Sequence, residues 1–293
     1  KEAHVVYALA PGEYILHEEQ APTEQGYVRA EDVKFVVEET GDVQKVKMED
    51  DHTKVSISKT DITDGKEIEG AKLQILDQDG EVVESWTTGE EHLIEYLPVG
   101  TYTLHEEAAV DGYIVANDVE FTVEETGEIQ KVKMEDERAM GQLVIVKTDT
   151  DSKAALEGVE FVLLEKETGK EVGRLKTGKD GKAVSELLPI GTYENGVFKE
   201  PITYVLKETA TLKGYEKTEE EWEIVFTYQN DKTPVIEVVK EIQNKKIPET
   251  PGTVKPGPKT GDDTNWFLSL LALGVSAGMV AGLLYYRKRH KKA

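Results

Sequence analysis

The sequence predicts an all-β chain of tandem small antiparallel β-sandwich domains, followed by a C-terminal transmembrane helix. Three observations carry this. Residues 1–247 alternate apolar and polar positions with period two and show no helical period. The alternating segments are short and are split by Gly, Asp and Asn turns, as where Asp79-Gly80 separates Leu73-Gln74-Ile75-Leu76 from Glu81-Val82-Val83, a hairpin signal. The whole pattern then recurs with a period of about 86–88 residues.

The repeat sets the domain boundaries. Gly26-Tyr27, Val37-Glu38-Glu39-Thr40-Gly41 and Gln44-Lys45-Val46-Lys47-Met48-Glu49-Asp50 return as Gly112-Tyr113, Val123-Glu124-Glu125-Thr126-Gly127 and Gln130-Lys131-Val132-Lys133-Met134-Glu135-Asp136. Residues 1–51 therefore form a partial copy whose opening strands are missing, and 52–138 a complete one. Residues 141–247 are a divergent third copy, opening at Leu143-Val144-Ile145-Val146-Lys147 and closing at Ile242-Gln243-Asn244. This copy carries an insertion around Tyr193 to Pro201, read as a longer hairpin whose two aromatics offer a small contact surface. Several strands over about 85–105 residues suit a small sandwich. Residues 248–265 turn Pro-rich, an extended spacer. Residues 266–286 are apolar and uncharged, and about 21 residues at ~1.5 Å each span a hydrocarbon core of about 30 Å. The basic tail, 287–293, belongs on the cytoplasmic side, which places all that precedes the span outside.

Composition narrows the function classes. The chain has 293 residues, no cysteine and a net charge of −23. Disulfides, thiolate metal sites and thiol catalysis are excluded. The acidity argues against nucleic acid and against anionic lipid as partners, and suits a solvated surface protein. No phosphate loop, no Gly-x-Ser-x-Gly and no Ser/His/Asp set occurs, so the chain is read as non-enzymatic with neither cofactor nor metal. His92 and His105, which recur as His4 and His17, are read as exposed strand positions, and Asp77-Gln78-Asp79-Gly80 as a turn. Lys1 is not a start residue and no signal peptide is visible, so the chain is expected to be the C-terminal part of a longer precursor.

Period two places charged residues on core faces. Val55, Ile57 and Lys59 share a face, as do Tyr102, Leu104 and Glu106, and Val132, Met134 and Asp136. The third copy repeats this with Leu143/Ile145/Lys147, Tyr204/Leu206/Glu208 and Ile242/Asn244. The partial copy keeps Tyr14/Leu16/Glu18 and Val46/Met48/Asp50 but has no lysine strand. Buried unpaired charges are costly, so each set should cluster or be neutralised. Burial lowers a lysine pKa and raises a carboxyl pKa. A neutral amine beside a protonated carboxyl can condense with an Asp or Asn to an amide. The bland alternative is a buried ion pair at a strand end.

The Lys-Thr-Asp strand, Glu69-Gly70-Ala71-Lys72-Leu73 with Glu157-Gly158-Val159-Glu160-Phe161, Leu-Pro-x-Gly, and Tyr-x-Leu-x-Glu before Gly-Tyr resemble collagen-adhesin B-type (SpaA-like) domains. The resemblance covers about residues 1–247 and implies an immunoglobulin-like or prealbumin-like sandwich. It also implies spontaneous isopeptide bonds, Lys147–Asn244 with Glu208 as catalyst and Lys59–Asp136 with Glu106.

At the other end, Gly257-Pro258-Lys259-Thr260-Gly261 before the apolar run and the basic tail resembles the sorting signal of Gram-positive wall proteins, Leu-Pro-x-Thr-Gly. Pro258, Lys259, Thr260 and Gly261 carry the match, while Gly257 stands where the family has Leu. The resemblance implies that a sortase cuts between Thr260 and Gly261 and joins Thr260 to peptidoglycan or its precursor. The protein would then be in the membrane only before processing and afterwards in the cell wall. The expected function is a rigid stalk presenting an N-terminal adhesin or pilus-tip region, with host or matrix ligands reached through that region. A polymerising pilin subunit and the stalk of a surface enzyme remain as alternatives.

Overall fold

Alternate apolar positions force each segment to bury one face, and two sheets stacked face to face satisfy this. The computed structural model describes residues 4–248. The linker beyond them, the motif at 258–261, the apolar run 266–286 and the basic tail lie outside the described residues. Among the described residues no helix is long and apolar enough to cross a membrane.

In the second copy one sheet has the order Tyr113–Ile114, Ile129–Arg138, Lys54–Asp61, His92–Glu95. The other has the order Val119–Val123, Gly100–Ala108, Lys72–Leu76, Val82–Thr87. Val55, Ile57, Leu73, Ile75, Leu104 and Met134 fill the space between them and are almost inaccessible to water. The third copy repeats the plan. Met140–Asp149 pairs with Val235–Asn244 and Lys182–Val184, and faces the sheet Glu171–Lys176, Glu160–Glu165, Thr203–Ala210, Glu221–Val225. Strict alternation along Met140–Asp149 buries Leu143, Ile145, Lys147 and Asp149 on one face.

The sandwiches depart from the antiparallel expectation at one pair in each copy. First and closing strands run parallel, with Ile57 opposite Val132, Lys59 opposite Met134 and Asp61 opposite Asp136. In the third copy Lys147 lies opposite Ile242 and Asp149 opposite Asn244, again in parallel. A hairpin cannot join parallel neighbours; a long crossover is required. Here the crossover is the rest of the domain.

The partial copy corrects a second expectation. Alternation puts Val46, Met48 and Asp50 on one strand face, as in the last strand of the second copy, but residues 38–50 form no strand. In the complete copies that strand is held by the lysine strand, and residues 4–52 contain no counterpart. What remains is the antiparallel pair Gly12–Leu16 with Val33–Val37, and the short pair Tyr27–Val28 with Asp51–His52. Ile15 and Val36 stay more than half exposed.

Successive copies meet through a repeated joint. Gly26 and Gly112 have φ of 75° and 89°, a backbone conformation that glycine adopts without strain. A Cβ at Gly26 would overlap the backbone of Tyr96, and one at Gly112 would lie 2.8 Å from Phe198 and from the Tyr193 hydroxyl. The carbonyls of the two glycines accept from Thr53 N–H and Ala139 N–H, the start of the following copy. The insertion forms the hairpin Gly191–Glu194 with Val197–Pro201 and reaches back onto the second copy. Tyr193 Oη donates to Gly112 O at 2.8 Å, and the Arg138 guanidinium lies 4.1 Å from the centre of its ring. Tyr228 Oη donates to Tyr113 O, and Val115 N–H to Asp231 O. Beneath them Asp61 accepts from Tyr113 Oη and Arg138 Nε. Burial alone would raise its pKa, but the Thr63 N–H, Tyr113 and Arg138 outweigh burial and hold it below the usual range.

The insertion therefore fastens two domains together, and Tyr193→Ala should loosen the joint alone. Hydrogen exchange should show protection at the Val115 and Ala139 amides falling by about 1–2 kcal/mol, with the core strand Lys72–Leu76 unchanged. Unchanged exchange at both amides would show that the hairpin rests on the second domain without holding it.

Candidate functional site

Each complete sandwich buries a small charged cluster at one end of its parallel pair. The first strand brings the lysine, the closing strand the Asp or Asn, and a strand of the facing sheet the glutamate. Alternation puts all three on inner faces, as the sequence requires.

In the second copy Lys59, Glu106 and Asp136 are 1%, 2% and 0% exposed. Lys59 Nζ lies 3.0 Å from Glu106 Oε2 and donates to Asp136 Oδ1. Glu106 Oε2 also accepts from the Ala116 N–H at 2.6 Å, which fixes the carboxylate from the loop side. Glu106 Oε1 and Asp136 Oδ2 have no hydrogen-bond partner. One ammonium thus faces two carboxyl groups in a dry site, so one acid must keep its proton or remain an uncompensated anion. Asp136 is pushed up to about 7, by burial first and by Glu106 in addition, against the opposing pull of Lys59.

In the third copy Lys147, Glu208 and Asn244 are equally buried. Lys147 Nζ donates to Asn244 Oδ1 at 2.5 Å and lies 2.9 Å from Glu208 Oε2. Asn244 Nδ2 donates to Glu208 Oε1 and to Thr211 Oγ1, both at 2.7 Å. One cation and one anion balance here, and Asn adds no charge. Burial lowers the Lys147 pKa against the hold of Glu208. A buried amine with a lowered pKa is a nucleophile, and a glutamate touching both amine and amide can move a proton between them.

All six residues expected from alternation come together as two clusters of three. The partial copy retains one part, because Glu18 Oε2 accepts from Ala30 N–H at 2.8 Å just as Glu106 does from Ala116. No lysine joins it, and Asp50 lies in the segment without a strand. Alternation missed Thr211. It follows Thr203–Ala210, where the two-residue period ends, and only its position three after Glu208 marks it. The histidines stand apart: His17 and His105 pair with Asp32 and Asp118 on the surface.

Comparison with known proteins places the fold. No curated protein matches the chain. Among solved structures, the Bacillus anthracis TIE protein is similar at 30% identity over 81% of this chain, with a TM-score of 0.52. The chain spans 43% of that protein's length. A Streptococcal ancillary pilin matches at 19% identity over 82% of this chain and 77% of its own, with a TM-score of 0.31. GBS52, the minor pilin of Streptococcus agalactiae, matches at 20% identity over 70% of this chain and 100% of its own, with a TM-score of 0.30. The SpaA prealbumin-like fold domain matches residues 53–138 and 141–201, just over half of the sequence. The third-copy match stops where the insertion hairpin ends. With that coverage, the chain belongs to the SpaA prealbumin-like fold domain family.

Proposed function

We propose that the chain is a non-enzymatic, sortase-anchored stalk of a Gram-positive cell surface, with each complete domain braced by an isopeptide bond. The observation that carries this reading is the pair of dry clusters, Lys59/Glu106/Asp136 and Lys147/Glu208/Asn244, each linking first and closing strands. Glu208 first takes a proton from Lys147; the freed Nζ attacks Asn244 Cγ and the Cγ–Nδ2 bond breaks. One amine proton reaches Nδ2 through Glu208, and ammonia leaves. At the second site Glu106 takes a proton from Lys59, and the freed amine attacks Cγ of the Asp136 carboxyl, which its raised pKa keeps protonated. The Cγ–O bond breaks, a second amine proton passes to the departing hydroxyl, and water leaves. By analogy with a disulfide closing a loop of similar length, each bond stabilises the domain by about 4 kcal/mol. A cysteine-free exported chain has no disulfide to provide this bracing.

The anchoring half of the proposal rests on the order of the motif at 258–261, the apolar run and the basic tail. In a Gram-positive host, the chain should be recovered from the wall fraction with Thr260 as its last residue. Thr260→Ala should leave it in the membrane fraction; wall attachment that survives this change would remove sortase from the account.

Intact mass tests the bonds directly. The chain should weigh less than its sequence by one water and one ammonia. Glu208→Ala should restore the ammonia and Glu106→Ala the water. A wild-type chain at full sequence mass would reduce both clusters to ion pairs.

A Lys59→Met variant tests the electrostatics. Without the amine, Asp136 keeps a folded-state pKa above its unfolded value. Lys59 is among the groups that pull this pKa down, so its removal leaves the value at or above about 7. The native state then binds an extra proton from about pH 4 upward through neutrality. This contribution to stability is complete below about pH 4 and is lost as pH rises through the folded-state pKa. Denaturant titration of the variant should give a stability about 2–4 kcal/mol lower at pH 8 than at pH 4. The bonded wild type, in which Asp136 no longer titrates, should lack this slope. A variant equally stable at both pH values would show that Asp136 ionises normally when buried.

A further inference from the structure

Thr211 touches the nitrogen that must leave, and its counterparts in the chain vary with the residue that reacts. Asn244 Nδ2 carries two hydrogens, both buried; Glu208 Oε1 accepts one and Thr211 Oγ1 the other. Thr211 follows Glu208 by three positions. The residue three after Glu106 is Ala109, and the residue three after Glu18 is Ala21. In the second copy the residue that meets the lysine is an aspartate, Asp136; in the partial copy, where no lysine joins, the matching position is Asp50. The pattern has a chemical cause. A carboxyl oxygen brings at most one hydrogen, which the glutamate can accept, whereas a carboxamide nitrogen brings two and needs a second acceptor.

We infer that Thr211 binds the leaving group in the third domain and is matched to asparagine, an inference that rests on the isopeptide reading above. As Lys147 Nζ bonds to Cγ, Glu208 passes a proton to Nδ2, which becomes positively charged before it departs as ammonia. The hydrogen bond to Thr211 is then charge-assisted and stronger than in the resting amide, so it favours the transition state over the ground state. At the second site the departing group is water, which carries one hydrogen fewer than ammonia at each stage, and Ala109 stands in place of Thr211. Thr211 thus distinguishes ammonia-releasing chemistry from water-releasing chemistry within one fold.

Cell-free synthesis of the full chain, sampled over time by intact mass, reads both bonds separately. Thr211→Val should slow loss of ammonia about three- to tenfold, the range of one net hydrogen bond. Thr211→Ser should restore the rate, and the loss of water at the second site should be unaffected in both variants. The discriminating measurement is made in an Asn244→Asp background, where bond formation releases water and Thr211→Val should change the rate less than about twofold. A residue that merely supports the fold would slow both backgrounds alike, and that result would overturn the inference. Equal rates for wild type and Thr211→Val would overturn it too, while leaving the bond itself in place. A wild-type chain that never loses ammonia would instead overturn the isopeptide reading on which it stands.

Discussion

The parallel pairing of first strand with closing strand is the constraint on which the rest depends. Because the two strands run the same way, the chain enters a domain at one end of the pair and leaves at the other. Everything between must be a crossover, and the facing sheet is that crossover. The pair is also where lysine meets Asp or Asn, since same-face residues on adjacent strands lie side by side. A bond at this place does more than shorten the unfolded chain. Tension entering at Lys54 would run to Lys59, cross to Asp136 and leave through Arg138. The segment between the bonded residues would bear none of it.

The two clusters answer the cost of burying charge in different ways. The second site holds two acids and one amine, so it lowers its net charge by keeping a proton on Asp136, which burial and Glu106 both favour. The third site replaces one acid with an amide and balances without that proton, but gains two amide hydrogens that need acceptors. Exchanging Asp for Asn therefore trades an electrostatic demand for a hydrogen-bonding one. The acidic surface of the chain, at net −23, has no part in this exchange, because the clusters are sealed from it.

Period two alone was enough to place Lys59, Glu106, Asp136, Lys147, Glu208 and Asn244 on core faces, because a sandwich buries every second residue of each strand. Strand direction was not legible in this way. Alternation is the same for parallel and antiparallel neighbours, so the parallel pair had to come from the topology. Thr211 was hidden for a related reason: it lies past the end of its strand, where the period no longer assigns a face. The insertion was legible as a hairpin with two aromatics, but not as a clamp. Its partners Gly112, Tyr113 and Arg138 are about 55–86 residues away in sequence, and no local pattern connects them.

The partial copy separates what a short segment decides from what the whole domain decides. Residues 4–52 retain the local features of the second copy. Tyr14 Oη donates to Ala10 O as Tyr102 Oη does to Pro98 O, and Tyr14 stacks on Phe35 as Tyr102 does on Phe121. His17 meets Asp32 as His105 meets Asp118, and Glu18 accepts from Ala30 as Glu106 does from Ala116. Yet Val43-Gln44-Lys45-Val46-Lys47-Met48-Glu49-Asp50, almost identical to the closing strand of the second copy, is no strand. In the second copy the matching residues pair along the lysine strand, from Ile129 beside Lys54 to Asp136 beside Asp61. Alternation gives a segment the capacity to be a strand, and a neighbouring backbone supplies the hydrogen bonds that make it one. Asp136 and Asn244 reach their lysines only once the parallel pair has formed, so the condensation proposed above would follow folding and retain what folding has already brought together.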